Sequence, residues 1–407
     1  MEYNIVKYAN IGKVKSGKRL PKGEVVSEII SNNKYIRVRD INGNAINPND
    51  VQYITDDASE KIRNYRVKTS DIIISVVGTV GSIAEIPNKL DGAYLTENCD
   101  NLLVDENICL KKYLKHYLIS KYGQEQVIAN TVGSTQPKLP IYGIENFDII
   151  LPNIYIQNKI VKILEAFDNK ILINNQTNDN LFELTKQLYK RWFIEFEFPN
   201  KDGNPYKASN GKMVESELGL IPENWCIKRL DEISVNFDSK RKPLSSKDRE
   251  ERKGNIPYYG ATSIIDYVNE YIFDDIFVLM GEDGSVINSD NTPVLQYIWK
   301  KCWINNHAHV LQGKGISTEH LMECLRATDV SSIITGAVQL KINQANMNAL
   351  KYVYATEETN RDFDEKISKI YEKIRANIEQ NEILEQLRDT LLPKLMNGEI
   401  DLDKIEI

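Results

Sequence analysis

The sequence predicts a mixed α+β chain, a tandem pseudo-two-fold repeat of two globular parts joined by two long helices that form an antiparallel coiled coil. Three observations predict it. A shift of 203 residues takes Lys170 to Lys373, Leu181 to Leu384, Leu184 to Leu387 and Leu188 to Leu391, and carries Gly81-Ser82 onto Gly284-Ser285, in a chain of 407 residues. Within 154–197 and 357–396 seam residues recur at alternating steps of four and three, the spacing of a coiled-coil seam. A stretch rich in Pro and Gly, 198–222, separates the two copies. Self-similarity at so long a period means one design used twice.

The elements follow in order. Segment 1–153 is the first globular part, with β-rich runs such as Ile72-Ile73-Ile74-Ser75-Val76-Val77 punctuated by Gly, Asn and Asp. Pro152 and Asn153 precede a helix over 154–197. Its seam holds Ile160, Leu164, Phe167, Ile171, Asn174, Asn178, Leu181, Thr185, Leu188 and Trp192. Residues 198–222 are a linker, and 223–356 are the second globular part, with a strand-like run from Ile276 to Met280. The repeat drifts inside this part: Asn98 aligns best with Asn306, at a shift of 208 where the helices keep 203. Thr356, Glu357 and Glu358 open the second helix, 357–396, whose seam is Phe363, Ile367, Ile370, Ile374, Asn377, Asn381, Leu384, Arg388, Leu391 and Leu395. A tail, 397–407, closes the chain. Asn174 and Asn178 bracket the middle of one seam, Asn377 and Asn381 the middle of the other. Antiparallel pairing puts Asn174 opposite Asn381 and Asn178 opposite Asn377. Seam asparagines sacrifice stability to fix register, so these four are expected to lock it.

Composition narrows the function classes. No apolar run is long enough to span a bilayer, and the first residues lack the basic stretch and apolar core of a secretory signal. Five cysteines (Cys99, Cys109, Cys226, Cys302, Cys324) form no CxxC pair, which favours free thiols in a reducing cytoplasm. Net charge is −7. Residues 1–200 carry 25 Lys/Arg against 24 Asp/Glu, and 201–407 carry 26 against 34. An acidic chain is a poor general binder of nucleic acid, yet Lys13, Lys15, Lys18, Arg19 and Lys22 crowd one segment and Lys240, Arg241 and Lys242 another.

No catalytic constellation emerges. Gly12 to Arg19 approaches the phosphate-cradling pattern GxxxxGK[ST], but Arg19 replaces the magnesium-binding hydroxyl and Leu20-Pro21 prevents the helix that follows such a loop. Asn204-Pro205-Tyr206 lacks a proline of the adenine-methyltransferase signature and lies in the linker, so it reads as a turn. Cys302, His307, His309, His320 and Cys324 show no zinc spacing, so no metal is expected. No GxSxG elbow occurs.

Several segments together resemble one family. They are Ser16 to Gly23, Gly133-Ser134-Thr135-Gln136-Pro137-Lys138-Leu139, Phe167 to Ile171, Ser216 to Trp225, and Leu391 to Ile400. In this order and duplication the chain is similar to the specificity subunit of type I restriction-modification enzymes, over its full length. The second copy of the loop, Gly336 to Lys341, departs from the pattern by lacking Ser-Thr and Pro. The resemblance implies a subunit without catalytic activity or cofactor of its own. Each globular part would be a target-recognition domain reading one half of a split, asymmetric site in double-stranded DNA. The partners implied are two methyltransferase subunits, which bring S-adenosylmethionine, and restriction subunits, which bring ATP and Mg. The helices would set the gap between half-sites: a slip of one heptad moves them by about 10 Å, or roughly three base pairs.

Base reading asks for Arg or Lys toward guanine and for Asn or Gln toward adenine. In the first domain the candidates are Lys18, Arg19, Arg37, Arg39, Ser134, Gln136 and Lys138. In the second they are Lys240, Arg241, Lys242, Tyr258, Tyr259, Asn306, His307 and Lys341. The alternative reading is a non-catalytic coiled-coil scaffold that binds proteins instead of DNA. A self-contained DNA methyltransferase fails for want of cofactor and catalytic motifs.

Overall fold

A computed structural model describes residues 4–336 and 339–402. Ala337 and Val338 of the second-copy loop, and 403–407 of the tail, lie outside the described residues. Four helices recur below: α1 (Lys111–Ile119), α2 (Ile154–Tyr189), α3 (Thr318–Arg326) and α4 (Glu357–Met396). The chain divides into two compact units, Met1–Ile173 with Gln380–Ile407, and Asn174–Glu379. The division falls inside both long helices, so each unit holds one globular part and half of each helix. It therefore cuts segments 154–197 and 357–396 and leaves 1–153, 198–222 and 223–356 whole. The physical reason is that a helix half buries its apolar stripe on the facing half and on the globular part beside it.

The first unit is built on an antiparallel sheet in the order Gly12–Ser16, Cys99–Val104, Ile72–Ser75, Ile83–Glu85. The second repeats that order with Ser234–Asn236, Ala308–Gly313, Phe277–Gly281 and Leu295–Ile298. One middle strand of each sheet, Ile72–Ser75 and Phe277–Gly281, has an apolar run because both faces are covered; Ile72, Ile73 and Ile74 are fully buried. In each globular part the first and last strands pair, Asn4–Lys7 with Asp148–Leu151 and Cys226–Arg229 with Lys351–Tyr354. The chain thus leaves each part where it entered, next to a long helix.

In both units the helix halves run antiparallel. In the second, Phe182 meets Tyr371 with ring centroids 6.1 Å apart and Tyr189 meets Phe363 at 6.2 Å. In the first, Arg388 donates to Asp168 at 2.9 Å. All the seam positions named above are buried or half-buried, whereas Leu184 and Leu387, matched by the same shift, are exposed. The asparagine pairing expected of the seam is present inside the second unit. Asn377 Nδ2 donates to Asn178 Oδ1 at 2.8 Å, and Asn178 Nδ2 reaches the Ile374 carbonyl at 3.4 Å. Asn174 and Asn381 are buried as well.

The first core joins Tyr8, Leu102, Tyr113 and Leu114 to Ile160 and Leu164 of α2 and Leu395 of α4. The second is richer in aromatics and gathers Tyr189, Trp192, Phe193, Trp225, Phe363 and Tyr371. Here α2 gives way to a π-helical turn, Lys190–Ile194, in which Trp192 and Phe193 are buried. A π turn shifts the side-chain phase of a helix, and the two adjacent aromatics both reach the core.

One buried group makes the first unit acid-sensitive. Burial, and then the Lys115 charge, lower the His116 pKa to about 4, with Asp168, Arg388 and Glu85 the other charged neighbours. Its folded value lies below the ordinary 6.5, so the stabilisation is complete above pH 6.5 and is lost as pH falls toward 4. Between pH 7 and 4.5 the wild-type chain should lose about 2–3 kcal/mol from this residue. Denaturant unfolding of His116→Phe should show that much less loss over the same interval; equal losses would refute the assignment.

Candidate nucleic-acid interface

Strand register shows which residues of the two globular parts are equivalent. Val14 pairs with Leu102 as Asn236 pairs with Leu311. The Val76 amide donates to the Asn98 carbonyl at 2.8 Å, as the Glu282 amide donates to the His307 carbonyl at 2.8 Å. Lys18 and Arg19 therefore correspond to Lys240 and Arg241, and Glu97 and Asn98 to Asn306 and His307. This corrects the sequence match of Asn98 with Asn306. The backbone pairs Asn98 with His307, because the number of inserted residues is set by strand pairing and an isolated asparagine carries too little pattern to count them.

Three loops meet at the same end of each four-stranded sheet. In the first unit they are the stretch after Ser16, the stretch before Cys99, and the loop 132–138, which closes on itself through a Val132–Lys138 bridge and joins Val77 through Lys138. In the second, Lys341 makes the equivalent bridges to Thr335 and Asp283. Gly133 and Gly336 both take positive φ, 88° in each case, and a Cβ on Gly336 would lie 2.1 Å from the Gln339 carbonyl oxygen. Glycine is needed there for the loop to turn.

The chemistry at the two ends differs. In the first, Lys18, Arg19, Arg39, Ser134, Gln136 and Lys138 are exposed or half-buried. Arg19 pairs with Glu97 at 2.6 Å with its side chain 82% exposed, so most of the guanidinium faces solvent. Burial would raise the Glu97 pKa, but Arg19 and local hydrogen bonds hold it below its ordinary value. Arg19, Arg37, Arg39, Tyr35 and Asn98 line one groove. Arg37, in contrast, is committed: it donates to both Asp40 oxygens, at 2.8 and 3.1 Å, and to Gln52. A guanidinium so occupied has little left to offer a base edge.

In the second, Lys240, Lys242, Asn306, His307 and Lys341 are exposed. His307 Nδ1 lies 2.6 Å from Asp283, and Lys341 lies 3.3 Å from Glu282. Two expected readers turn inward. Tyr258 is 1% exposed and its hydroxyl accepts from the Leu244 amide at 2.9 Å; like Tyr35, its counterpart, it fills the core beneath the end of the sheet. Tyr259 is half-buried against the Phe273 and Phe277 cluster. Arg241 is also withdrawn. It donates to Glu282 at 2.7 Å, to the Ala308 carbonyl at 2.7 Å and to the Asp238 carbonyl at 3.1 Å. Asp238, Glu282 and His309 could otherwise group around a cation, but the Arg241 guanidinium already pairs with both acids. Burial would raise both carboxyls, yet His309 and Arg241 hold Asp238 low, and Arg241, His309 and Lys341 hold Glu282 low.

Sequence reasoning found the lysines and the loop residues. It missed Glu97, Asn98 and Asp283, which carry no sequence pattern and reach the site only through strand register. No helix among the described residues is long and apolar enough to cross a membrane.

The profile of a family described as the type I restriction modification DNA specificity domain matches residues 1–183 and 222–389. The chain is 23% identical to the type I restriction enzyme MjaIX specificity subunit of Methanocaldococcus jannaschii, over 82% of this chain and 78% of that one. It is 21% identical to the type I restriction enzyme HindI specificity subunit of Haemophilus influenzae, over 82% of this chain and 87% of that one. Its fold is similar to the crystal structure of a type I restriction-modification S subunit from M. genitalium, with a TM-score of 0.52 at 18% identity over 97% of this chain and 96% of that one.

Proposed function

Since the chain belongs to the type I restriction-modification DNA specificity family, we propose that its two sheet-end surfaces read the two halves of a bipartite, asymmetric DNA site. DNA sequence specificity is the role of the chain, and the scaffold reading is set aside. The observation that supports this division of labour is that one backbone platform occurs twice with different side chains: Glu97 and Asn98 on one, Asn306 and His307 on the other, with Arg19 exposed and its counterpart Arg241 withdrawn. Equal platforms with unequal chemistry suit two different half-words. Lys18, Lys138, Lys240, Lys242 and Lys341 are suited to phosphate contacts, which position a domain without specifying sequence.

In this reading the chain performs no catalysis and works in the cytoplasm. Two methyltransferase subunits bring S-adenosylmethionine, and restriction subunits bring ATP and Mg. The paired helices set the gap between half-sites, with Asn174, Asn178, Asn377 and Asn381 locking register. A net charge of −7 suits a chain whose partners supply much of the phosphate contact, so its DNA affinity should rise when the methyltransferase joins.

The test is a map of methylated adenines in cells with and without this chain, co-expressed with its methyltransferase. A split motif with one fixed gap, absent without the chain, is expected. Changing all four asparagines to Leu should let the gap vary. Methylation independent of the chain would overturn the assignment.

A further inference from the structure

The first unit exposes apolar side chains where its counterpart does not. Between the strand that ends at Ser16 and the strand Lys34–Ile36, Val25, Ile29 and Ile30 are 74%, 80% and 83% exposed. Single exposed apolar residues are ordinary, but three within six positions call for a reason. The equivalent stretch of the second unit joins the strand Ser234–Asn236 to Lys253–Tyr259 and carries the charged helix Ser246–Glu251. Its Leu244 is tucked against Tyr258 and Trp303, and none of the exposed large apolar residues among those described lies in it.

Val25 sits between two anchors. On one side the Glu24 carboxylate accepts from the Thr55 hydroxyl at 2.8 Å. On the other, Ser27 exchanges two backbone hydrogen bonds of 2.8 Å with Tyr53. Val26 packs on the cluster of Tyr35, Ile54 and Tyr94, whereas Val25 is turned outward. It lines the same groove, of about 500 Å³, as Arg19, Arg39 and Asn98. One groove thus combines cations and an amide with a fixed, exposed aliphatic side chain.

On the major-groove edges of DNA the groups are hydrogen-bond donors and acceptors, with one apolar exception, the C5-methyl of thymine. Arg19 suits guanine and Asn98 suits adenine, but an aliphatic side chain has no use for either edge. We propose that Val25 contacts the methyl group of a thymine in the half-word read by the first unit. The proposal rests on reading that sheet end as a DNA recognition surface. The contact separates thymine from cytosine, which presents an amino group and no methyl. The polar counterpart in the second unit leaves this means of discrimination to one half-word.

The test uses the full chain with its methyltransferase and duplexes bearing the mapped site. Each thymine is replaced in turn by deoxyuridine, which lacks only the methyl. At one thymine the wild-type complex should lose about fourfold in affinity, the worth of one methyl group removed from water. Val25→Ala should lose as much on the natural duplex and nothing further on that uracil duplex, so that the two changes fail to multiply. The side chain is exposed, so the variant should fold as the wild type does. Ile29→Ala, on the same loop but outside the groove lining, should separate thymine from uracil as the wild type does. Uracil tolerated at every thymine, losses that multiply at every thymine, or discrimination lost equally in Ile29→Ala would overturn the contact. So would a Val25→Ala chain that binds its methyltransferase less well yet discriminates unchanged, since the valine would then belong to a protein interface. If the wild-type complex binds the mapped site no better than other DNA, the recognition reading falls and takes the contact with it.

Discussion

Replacing Arg241 with Met should destabilise the second unit by about 3–5 kcal/mol, the usual cost of stripping one partner from a buried ion pair. The side chain is only 12% exposed, and Asp238 and Glu282 beside it are 10% and 15% exposed. Without the guanidinium, two neighbouring carboxylates are left facing each other with only His309 and Lys341 to balance them. The deficit should depend on pH. Asp238 and Glu282 have folded pKa values below their ordinary 3.8 and 4.5. In the wild type their stabilisation is complete above those values and is lost as pH falls through the folded ones. The gap between wild type and variant should therefore be widest near pH 7 and narrow below about pH 4, as urea unfolding at both values would measure. A gap that stays constant with pH would mean that Arg241 acts by packing alone. Because Arg241 also holds the carbonyl of Ala308, loss of the second half-word should accompany the variant even where it remains folded.

Phe363→Ala should cost about 3–5 kcal/mol. Its ring is fully buried and meets His320 at 4.6 Å, Phe193 at 4.9 Å and Trp192 at 5.4 Å between centroids. It joins the start of α4, the π turn after α2 and α3, so the cavity would open where three elements converge and none can close it alone. Calorimetry should show the second unit melting earlier. A loss under about 1 kcal/mol would mean that the aromatic cluster collapses around the gap.

Much of the frame is legible in the sequence. The four-three alternation selects the buried face of each long helix, and the repeat at 203 identifies equivalent positions on them. Basic residues and loop glycines mark the ends of the sheets that face solvent. What the sequence does not disclose is which candidate side chains are already occupied. Arg37 and Arg241 look like any other arginine in a basic segment, yet carboxylates 3 and 41 residues away claim them. Tyr258 sits in a polar-looking stretch, yet its strand turns that side chain into the core.

Local pattern determined the seam, the duplication and the glycine turns, because each depends on residues a few positions apart or on a constant shift. Tertiary structure alone decided the makeup of the sites. Glu97, Asn98 and Asp283 reach the surface through pairing between strands far apart in the chain, and the contacts of α1 with Glu165 and of α3 with Arg375 depend on which helix half lies opposite. Both are long-range arrangements, and charge pairing across them is a property of distance in space that spacing along the chain does not record.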